Sequence, residues 1–89
     1  MKLYDVLNPE GRTIAGDEVY ASIEEATAAF EQWAEQYRPR GYYGWTSPIP
    51  FSLLHHFCTI AEMLRGDDGR PHYTGVHLKI KLSSKNSYL

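Results

Sequence analysis

Cysteine is nearly absent from this sequence, which limits the classes of protein to consider. The 89 residues include a single cysteine, Cys58, so no disulfide can form within the chain. Small secreted domains usually depend on several disulfides, whereas lone thiols are typical of reducing compartments. The cysteine content therefore predicts a cytoplasmic protein and argues against a secreted disulfide scaffold.

Long apolar runs and targeting signals are missing as well. The stretch MKLYDVLNPEG reaches Asp5 and Pro9 before an apolar run of signal-peptide length develops. Nowhere does the sequence approach the roughly 18 consecutive apolar residues that a membrane-spanning helix needs. We therefore expect a soluble protein without a membrane partner.

An excess of basic charge is also absent. Nine lysines and arginines stand against eleven acidic residues, which gives a formal net charge of -2. Clustered Lys and Arg hold nucleic-acid backbones, so this balance makes a nucleic-acid partner less favoured than a protein partner. The seven glycines never take the spacing of a phosphate-binding loop.

What is present is the composition of one small globular domain. Hydrophobic residues make up 43% of the chain and charged residues 22%, and a chain of this length has room for one core. We assign residues 1–82 to a single α+β domain. The polar residues 83–89 are expected to form a frayed C-terminal tail.

The clearest secondary-structure signal begins at Ser22. Ser22 and Glu25 have the spacing of a capping box, and Pro39 ends the pattern because proline donates no backbone hydrogen bond. Between them an apolar stripe recurs at helical spacing, formed by Ile23, Ala26, Phe30, Trp33, Ala34 and Tyr37. The sequence predicts an amphipathic helix from Ser22 to Tyr37.

The segments on either side of this helix have the pattern of strands and turns. The turn sequence NPEG separates KLYDVL from RTIAGDEVYA, YYGWT follows the helix, and RGDDGRP separates CTIAEML from VHLKIKL. A short helical turn opened by Pro50 is expected before the fourth strand. The predicted fold is a two-layer α+β domain, in which an antiparallel sheet of four to five strands (ββαβββ) is covered on one face by the helix.

The stretch YRPRGYYGW, residues 37–45, combines four aromatic rings with two arginines. Alternate residues of a strand point to opposite faces, so Tyr42 and Gly44 should face one way and Tyr43 and Trp45 the other, and we expect at least one of these pairs to pack under the helix. Tyr, Trp and Arg are over-represented in protein-binding hot spots. The same residues also build stacking platforms for single-stranded nucleic acids.

These patterns define a set of candidate partner-binding residues. The helix carries glutamates away from its apolar stripe, and the exit from the helix carries the arginines and outward rings. A protein or ribonucleoprotein partner would meet Glu24, Glu31, Glu35, Arg38, Arg40, Tyr43 and Trp45. The edge of the terminal hairpin also leaves room for a homodimer.

His55, His56 and Cys58 form the one cluster of metal-capable side chains in the sequence. Structural zinc needs four ligands in paired motifs, and adjacent histidines on a helical turn diverge by about 100°. No glycine elbow or helix N-terminus adjoins Cys58 to activate it as a nucleophile. We expect no metal, no cofactor and no catalytic residue, with a metal- or thiol-dependent enzyme as a further alternative.

Three stretches resemble small uncharacterised proteins of bacterial plasmids, phages and integrative elements. They are NPEGR between two short strands, SIEEATAAFEQWAEQYRPRGYY, and IP followed by a leucine-bearing turn and CTI, so the resemblance covers residues 3–62. It carries over no catalytic residue and implies a context instead. Such elements encode compact acidic proteins that bind and block host defence complexes, anti-CRISPR inhibitors among them.

The function expected on these grounds is that of a non-enzymatic protein-binding module. The resemblance implies a mobile-element-encoded inhibitor that acts on a host defence complex by surface occlusion. A small single-stranded nucleic-acid-binding protein is the alternative, with Arg38, Arg40, Tyr43 and Trp45 as its contact residues.

Overall fold

The computed structural model describes residues 2–16, 18–44 and 48–82. Its elements are β1 (Lys2–Leu7), α1 (Ile23–Ala34), a 3₁₀ helix (Glu35–Tyr37), a second 3₁₀ helix (Phe51–His56), β2 (Thr59–Arg65) and β3 (Pro71–Lys79). The strands form one antiparallel sheet in the order β1-β2-β3. The predicted α+β class with an antiparallel sheet is confirmed, whereas the predicted tail, residues 83–89, lies outside the described residues.

The helix begins where the capping pattern predicts. Ser22 Oγ accepts a hydrogen bond from Glu25 N at 3.0 Å, and Glu25 Oε2 accepts one from Ala21 N at 3.0 Å. The first bond satisfies a backbone donor that the first helical turn would otherwise leave unpaired, and the second ties Glu25 to the residue before the cap. At the other end the helix tightens into the 3₁₀ turn Glu35–Tyr37, so the predicted span of Ser22 to Tyr37 is divided between two helix types.

The apolar stripe of α1 meets the sheet and the aromatic exit in a single core. Phe30 is 1% exposed and packs with Val6, Leu54 and Ile60, which are fully buried. Tyr42 is also buried, and its ring lies 5.7 Å from that of Trp33 between centroids. The expectation that rings of the exit segment pack under the helix is confirmed at Tyr42.

The second predicted strand, RTIAGDEVYA, does not form as a strand. Within it, Thr13 and Tyr20 make isolated bridges to β1, with Tyr20 and Tyr4 exchanging backbone hydrogen bonds at 2.7 and 2.8 Å. Gly16 lies between the two bridges at φ +63°, a left-handed conformation that breaks an extended chain. Residues 13–16 and 18–20 therefore cover the outer edge of β1 without becoming a regular strand.

The strand predicted after the helix is reduced in the same way. Tyr42 pairs only with Ile49, through two backbone hydrogen bonds of 2.8 Å. Pro48 and Pro50 flank Ile49, and proline is confined mainly to strand edges, strand starts and bulges, so this segment is poorly suited to a regular central strand. The described residues thus hold a three-stranded sheet, and the four to five strands in ββαβββ order are not confirmed.

The β2–β3 hairpin follows the predicted turn and carries an irregularity near its middle. Gly66 and Gly69 close the turn through backbone bonds of 2.8 Å (Gly66 N to Arg70 O) and 3.0 Å (Gly69 N to Gly66 O). Further along, the pairing shifts between Ala61 and Met63, so that residues 74–76 of β3 lie opposite the single residue 62 of β2. Gly75 adopts φ +91° at this bulge.

Candidate protein-binding surfaces

The three predicted glutamates lie along one side of α1 and the 3₁₀ turn that follows it. Glu24 and Glu31 are seven residues apart, close to two helical turns, so they lie on one side about 10 Å apart along the axis. Glu35 continues this line in the 3₁₀ turn, and Glu24 and Glu35 are both exposed. We call Glu24, Glu31 and Glu35 the acidic stripe.

Two of the predicted partner-binding residues contact each other. Arg38 binds Glu35 through Nε to Oε1 at 2.9 Å and Nη2 to Oε2 at 2.5 Å, and both side chains are exposed. The hydrogen bonds and charge of Arg38 hold the pKa of the Glu35 carboxyl below its usual range. The Arg38 guanidinium also lies 4.3 Å from the centroid of the Phe51 ring. Such exposed pairs are weak in water, so Glu35 and Arg38 can exchange each other for a charged partner.

The exit from the helix separates a buried tyrosine from an exposed one. Gly41 has φ +82°, and a Cβ at this position would lie 2.7 Å from Ile49 O, so only glycine fits the turn. After it Tyr42 enters the core, while the Tyr43 side chain is 67% exposed. The sequence singled out this pair, and the structure decides which ring faces solvent.

Glu10 holds the buried tyrosine in place. The Tyr42 hydroxyl donates a hydrogen bond to Glu10 Oε1. Burial and this carboxylate raise the pKa of Tyr42 above its ordinary value, so the hydroxyl keeps its proton as a donor. Sequence reasoning assigned Glu10 to the turn alone, because no local pattern links it to a tyrosine 32 residues later.

Tyr43 stands between two surface hollows. One has a volume of about 510 Å³ and includes Tyr37, Arg40 and Tyr42 in its lining, with Tyr43 at its side. The other has about 650 Å³ and is lined by Asn8, Glu10, Arg12, Tyr43 and Gly44. The sequence did not point to Arg12, because Arg12 and Tyr43 line the same hollow only once the NPEG turn has folded.

A third hollow runs between α1 and the open edge strand β3. We call it the α1–β3 groove; it has a volume of about 630 Å³. Its apolar and uncharged lining includes Ile23, Thr27, Ala28 and Leu78, and its charged lining is Glu24, Glu31, Lys79 and Lys81. Two members of the acidic stripe thus form part of a groove whose other side carries lysines.

Asp5 is a buried carboxylate that the sequence analysis did not single out. It is 2% exposed and accepts three hydrogen bonds, from Val6 N at 2.9 Å, Thr13 Oγ1 at 2.8 Å and the Tyr73 hydroxyl at 2.6 Å. These partners belong to β1, the segment covering its edge, and β3. Asp5 therefore ties three parts of the chain together on the sheet face opposite the helix. The sequence signal for this buried carboxylate was an acidic residue within a predicted strand, KLYDVL.

The cluster of His55, His56 and Cys58 combines a buried thiol with two adjacent imidazole rings. Cys58 is 3% exposed, and burial together with the Glu10 charge raises its pKa to about 12. The His55 and His56 rings stack at 4.0 Å between centroids, and burial followed by the His56 charge lowers the pKa of His55. Across residues 2–16, 18–44 and 48–82, no group of three or more His, Cys, Asp or Glu side chains is placed to hold a metal ion.

The predicted partner-binding residues therefore fall into two places. Glu24 and Glu31 lie along the α1–β3 groove, whereas Arg40 and Tyr43 lie at the exit from the helix. The paired Glu35 and Arg38 lie between these places along the chain. Trp45 lies outside the described residues.

Comparison of the chain with protein-family models, with curated proteins and with solved structures gives no match. Of the helices in the described part of the chain, none has the length and apolar character needed to cross a bilayer.

Proposed function

We propose that this protein is a non-enzymatic protein-binding module that acts in the cytoplasm. Its task would be to inhibit a host defence complex by covering one of its surfaces, in the manner of an anti-CRISPR protein. The resemblance of residues 3–62 to proteins of mobile elements supports this context.

The acidic stripe is the observation that carries the proposal. Phe30 anchors the other side of α1 in the core, so the helix is held with Glu24 and Glu35 turned to solvent. A rigid row of carboxylates is complementary to a basic groove, such as one that holds nucleic acid in a defence complex. Tyr43 and Arg40 would add the aromatic and arginine contacts that are frequent in binding hot spots.

The proposal is tested by charge reversal with a matched control. Tagged wild-type protein, E24K/E35K and E18K/D67K are used to capture partners from bacterial lysate at low and high salt. The last two variants change the net charge equally, but Glu18 and Asp67 are exposed acids outside the stripe. We expect a partner that wild type and E18K/D67K retain and E24K/E35K loses, with retention falling as salt screens the charges.

The identity of the captured molecule separates the alternatives. A defence ribonucleoprotein supports inhibition, and a partner retained equally by all three variants and at all salt concentrations contradicts the role of the stripe. Bare nucleic acid would instead favour the single-stranded nucleic-acid alternative.

The nucleic-acid alternative has one observation in its favour. Tyr43 is exposed between a hollow that holds Arg40 and a hollow that holds Arg12, an arrangement suited to stacking a base between phosphate contacts. Titration with single-stranded oligonucleotides at low salt, followed by tryptophan fluorescence, tests it. Quenching that Tyr43→Ala abolishes would support this function, and an unchanged spectrum would remove it.

A further inference from the structure

We propose that the α1–β3 groove and the open edge of β3 together bind an extended segment of a partner protein, which adds to the sheet as a fourth strand. This inference rests on the proposed function of protein binding and names the form in which part of the partner is bound.

The outer edge of β3 is free in the described part of the chain. β3 is the last strand of the sheet and pairs with β2 on one side only. Among the described residues no other segment pairs with its outer side, whereas the outer side of β1 is bridged by Thr13 and Tyr20. An unpaired strand edge exposes backbone donors and acceptors in the spacing that another strand needs.

The helix lies toward the β1 side of the sheet. α1 packs against β1 and β2, so it lies off-centre over the sheet and leaves the groove above β3. Ile23 is 40% exposed there although it belongs to the apolar stripe, and Leu78 of β3 lines the same groove. A fourth strand would lie about 4.8 Å beyond β3, and its side chains on the helix side would reach the apolar part of this groove.

The two sides of the α1–β3 groove carry opposite charges. Glu24 and Glu31 lie on the helix side of the groove, and Lys79 and Lys81 lie on the strand side. Thr59 is the partner of Lys79, while Ile60 is the partner of Leu78, so Lys79 and Leu78 belong to opposite faces of the sheet. The strand that fits has apolar residues and a basic residue on its helix side and acidic residues on its other face.

A second copy of this chain fits less well. Antiparallel pairing of two β3 strands about Gly75 would set Pro71 of one copy opposite Lys79 of the other, at the end of β3 that borders the groove. Proline has no N–H to contribute to the new ladder, and the second β3 would place opposite Leu78 not a lysine or arginine but His72, which already binds Asp68 at 3.1 Å. We therefore commit to a strand from a different protein.

A library of randomised ten-residue peptides, displayed on phage and selected against the full chain, tests the inference. We expect enriched peptides with apolar residues at alternate positions, at least one basic residue on the apolar face and acids on the other. The matched variants are Thr27→Trp, which fills the groove, and Gln32→Trp, which adds the same side chain on an exposed helix position outside the groove lining. Thr27→Trp should weaken binding of the enriched peptides at least tenfold, and Gln32→Trp should leave it unchanged.

Two further readouts do not depend on a groove-filling side chain. N-methylation placed in turn at each peptide position, which removes the N–H and keeps the side chain, should weaken binding only at every second position, because alternate N–H groups of an added strand point toward β3. Selection on Glu24→Lys should exchange the preferred basic residue for an acidic one, while Glu18→Lys should not alter the preference.

Several results would overturn the inference. They are enrichment of a helical spacing of three or four, equal binding to Thr27→Trp and wild type, or equal effects of N-methylation at adjacent positions. A dimer of the chain that Thr27→Trp dissociates would assign the groove to a second copy. Competition by a synthetic peptide of residues 83–89 would assign it to this chain's own C-terminal residues. Any of these can occur while E24K/E35K still loses its captured partner, so the failure of this inference and that of the proposed function are distinguishable.

Discussion

The two edges of the sheet are finished in different ways. Along β1 the chain turns back on itself, and Thr13 and Tyr20 bridge the outer edge while Asp5 binds the Thr13 hydroxyl. Along β3 the described residues provide no such cover, and the strand bulges at Gly75. An edge closed by buried polar contacts contributes to stability, whereas the exposed side chains of an open edge can be replaced at little cost and its backbone groups remain available to a partner.

Tyr73 connects the two outer strands of the sheet, β3 and β1. It belongs to β3, pairs with Met63 and reaches Asp5 of β1 on the face opposite the helix. Its side chain is 56% exposed even though its hydroxyl is bound. The open strand is therefore held to the rest of the domain from the face that the α1–β3 groove does not use.

The largest effect is expected from breaking the closed edge. Asp5→Ala removes the acceptor of three hydrogen bonds in a buried place and should lower the free energy of unfolding by about 2–3 kcal/mol. Asp67→Ala makes the same substitution at an exposed position of the β2–β3 turn and should change it by less than about 0.5 kcal/mol. Urea denaturation measures the free energy of unfolding of both variants. Equal losses would show that the buried contacts of Asp5 contribute no more to stability than an exposed residue of the β2–β3 turn does.

The next largest effect compares the glycines of the two edges. Gly75→Ala on β3 forces alanine to φ +91°, whereas Gly16→Ala beside β1 requires φ +63°, near the centre of the left-handed region. An added Cβ meets nothing within 4 Å at either position, so backbone strain alone decides the outcome. We expect losses of about 2 kcal/mol for Gly75→Ala and about 1 kcal/mol for Gly16→Ala. Thermal or urea unfolding showing the reverse order would contradict this account of the bulge.

A smaller, pH-dependent effect is expected at Tyr73. The hydrogen bond to Asp5, burial and the Asp5 charge raise the pKa of Tyr73 from 10.0 to about 12. Because the folded-state pKa is the higher one, this stabilisation is complete below pH 10 and is lost as the pH rises toward 12. Since the side chain is more than half exposed, solvent screening limits it to about 1 kcal/mol.

The measurement for this effect is the difference in unfolding free energy between wild type and Tyr73→Phe. It should be constant up to pH 10 and shrink above it, and the other tyrosines contribute equally to both proteins. A difference that does not change between pH 8 and pH 12 would mean that the Tyr73 hydroxyl is not bound to Asp5 in solution.

The smallest effect is expected from polar contacts on the open edge. Thr74 Oγ1 donates to Glu62 Oε1 at 3.1 Å in an exposed place. Thr74→Ala should change the free energy of unfolding by less than about 0.5 kcal/mol, because water replaces the lost contact. A loss comparable to that of Asp5→Ala would indicate that the β3 edge is closed by contacts of its own.

Much of the fold was accessible from the sequence where local chemistry decides the outcome. Ser22 and Glu25 predict the start of the helix, and their backbone hydrogen bonds form as expected. Glycines and aspartates predict the turn between β2 and β3 in the same manner. The four to five strands predicted are not confirmed in the described part of the chain, because strand propensity in residues 12–21 and 42–45 does not reveal whether a neighbouring strand lies within reach.

The candidate surfaces were predictable only in part. Helical spacing alone places Glu24 and Glu31 on one side, but it does not show that Leu78 of β3 lines the same groove. Arg12 joins Tyr43 because the NPEG turn brings the start of the chain to the exit from the helix. Contacts of this kind depend on residues far apart in the chain, which no local pattern records.

By itself, the sequence determined the helix, the main turns and the apolar stripe, because each depends on neighbours within a few residues. Only the tertiary structure decided which sheet edge stays open, that Tyr42 is buried while Tyr43 is exposed, and that Asp5 is enclosed by Thr13 and Tyr73. These outcomes follow from the packing of distant segments, since a polar group or a ring becomes buried only where the rest of the chain supplies its partners.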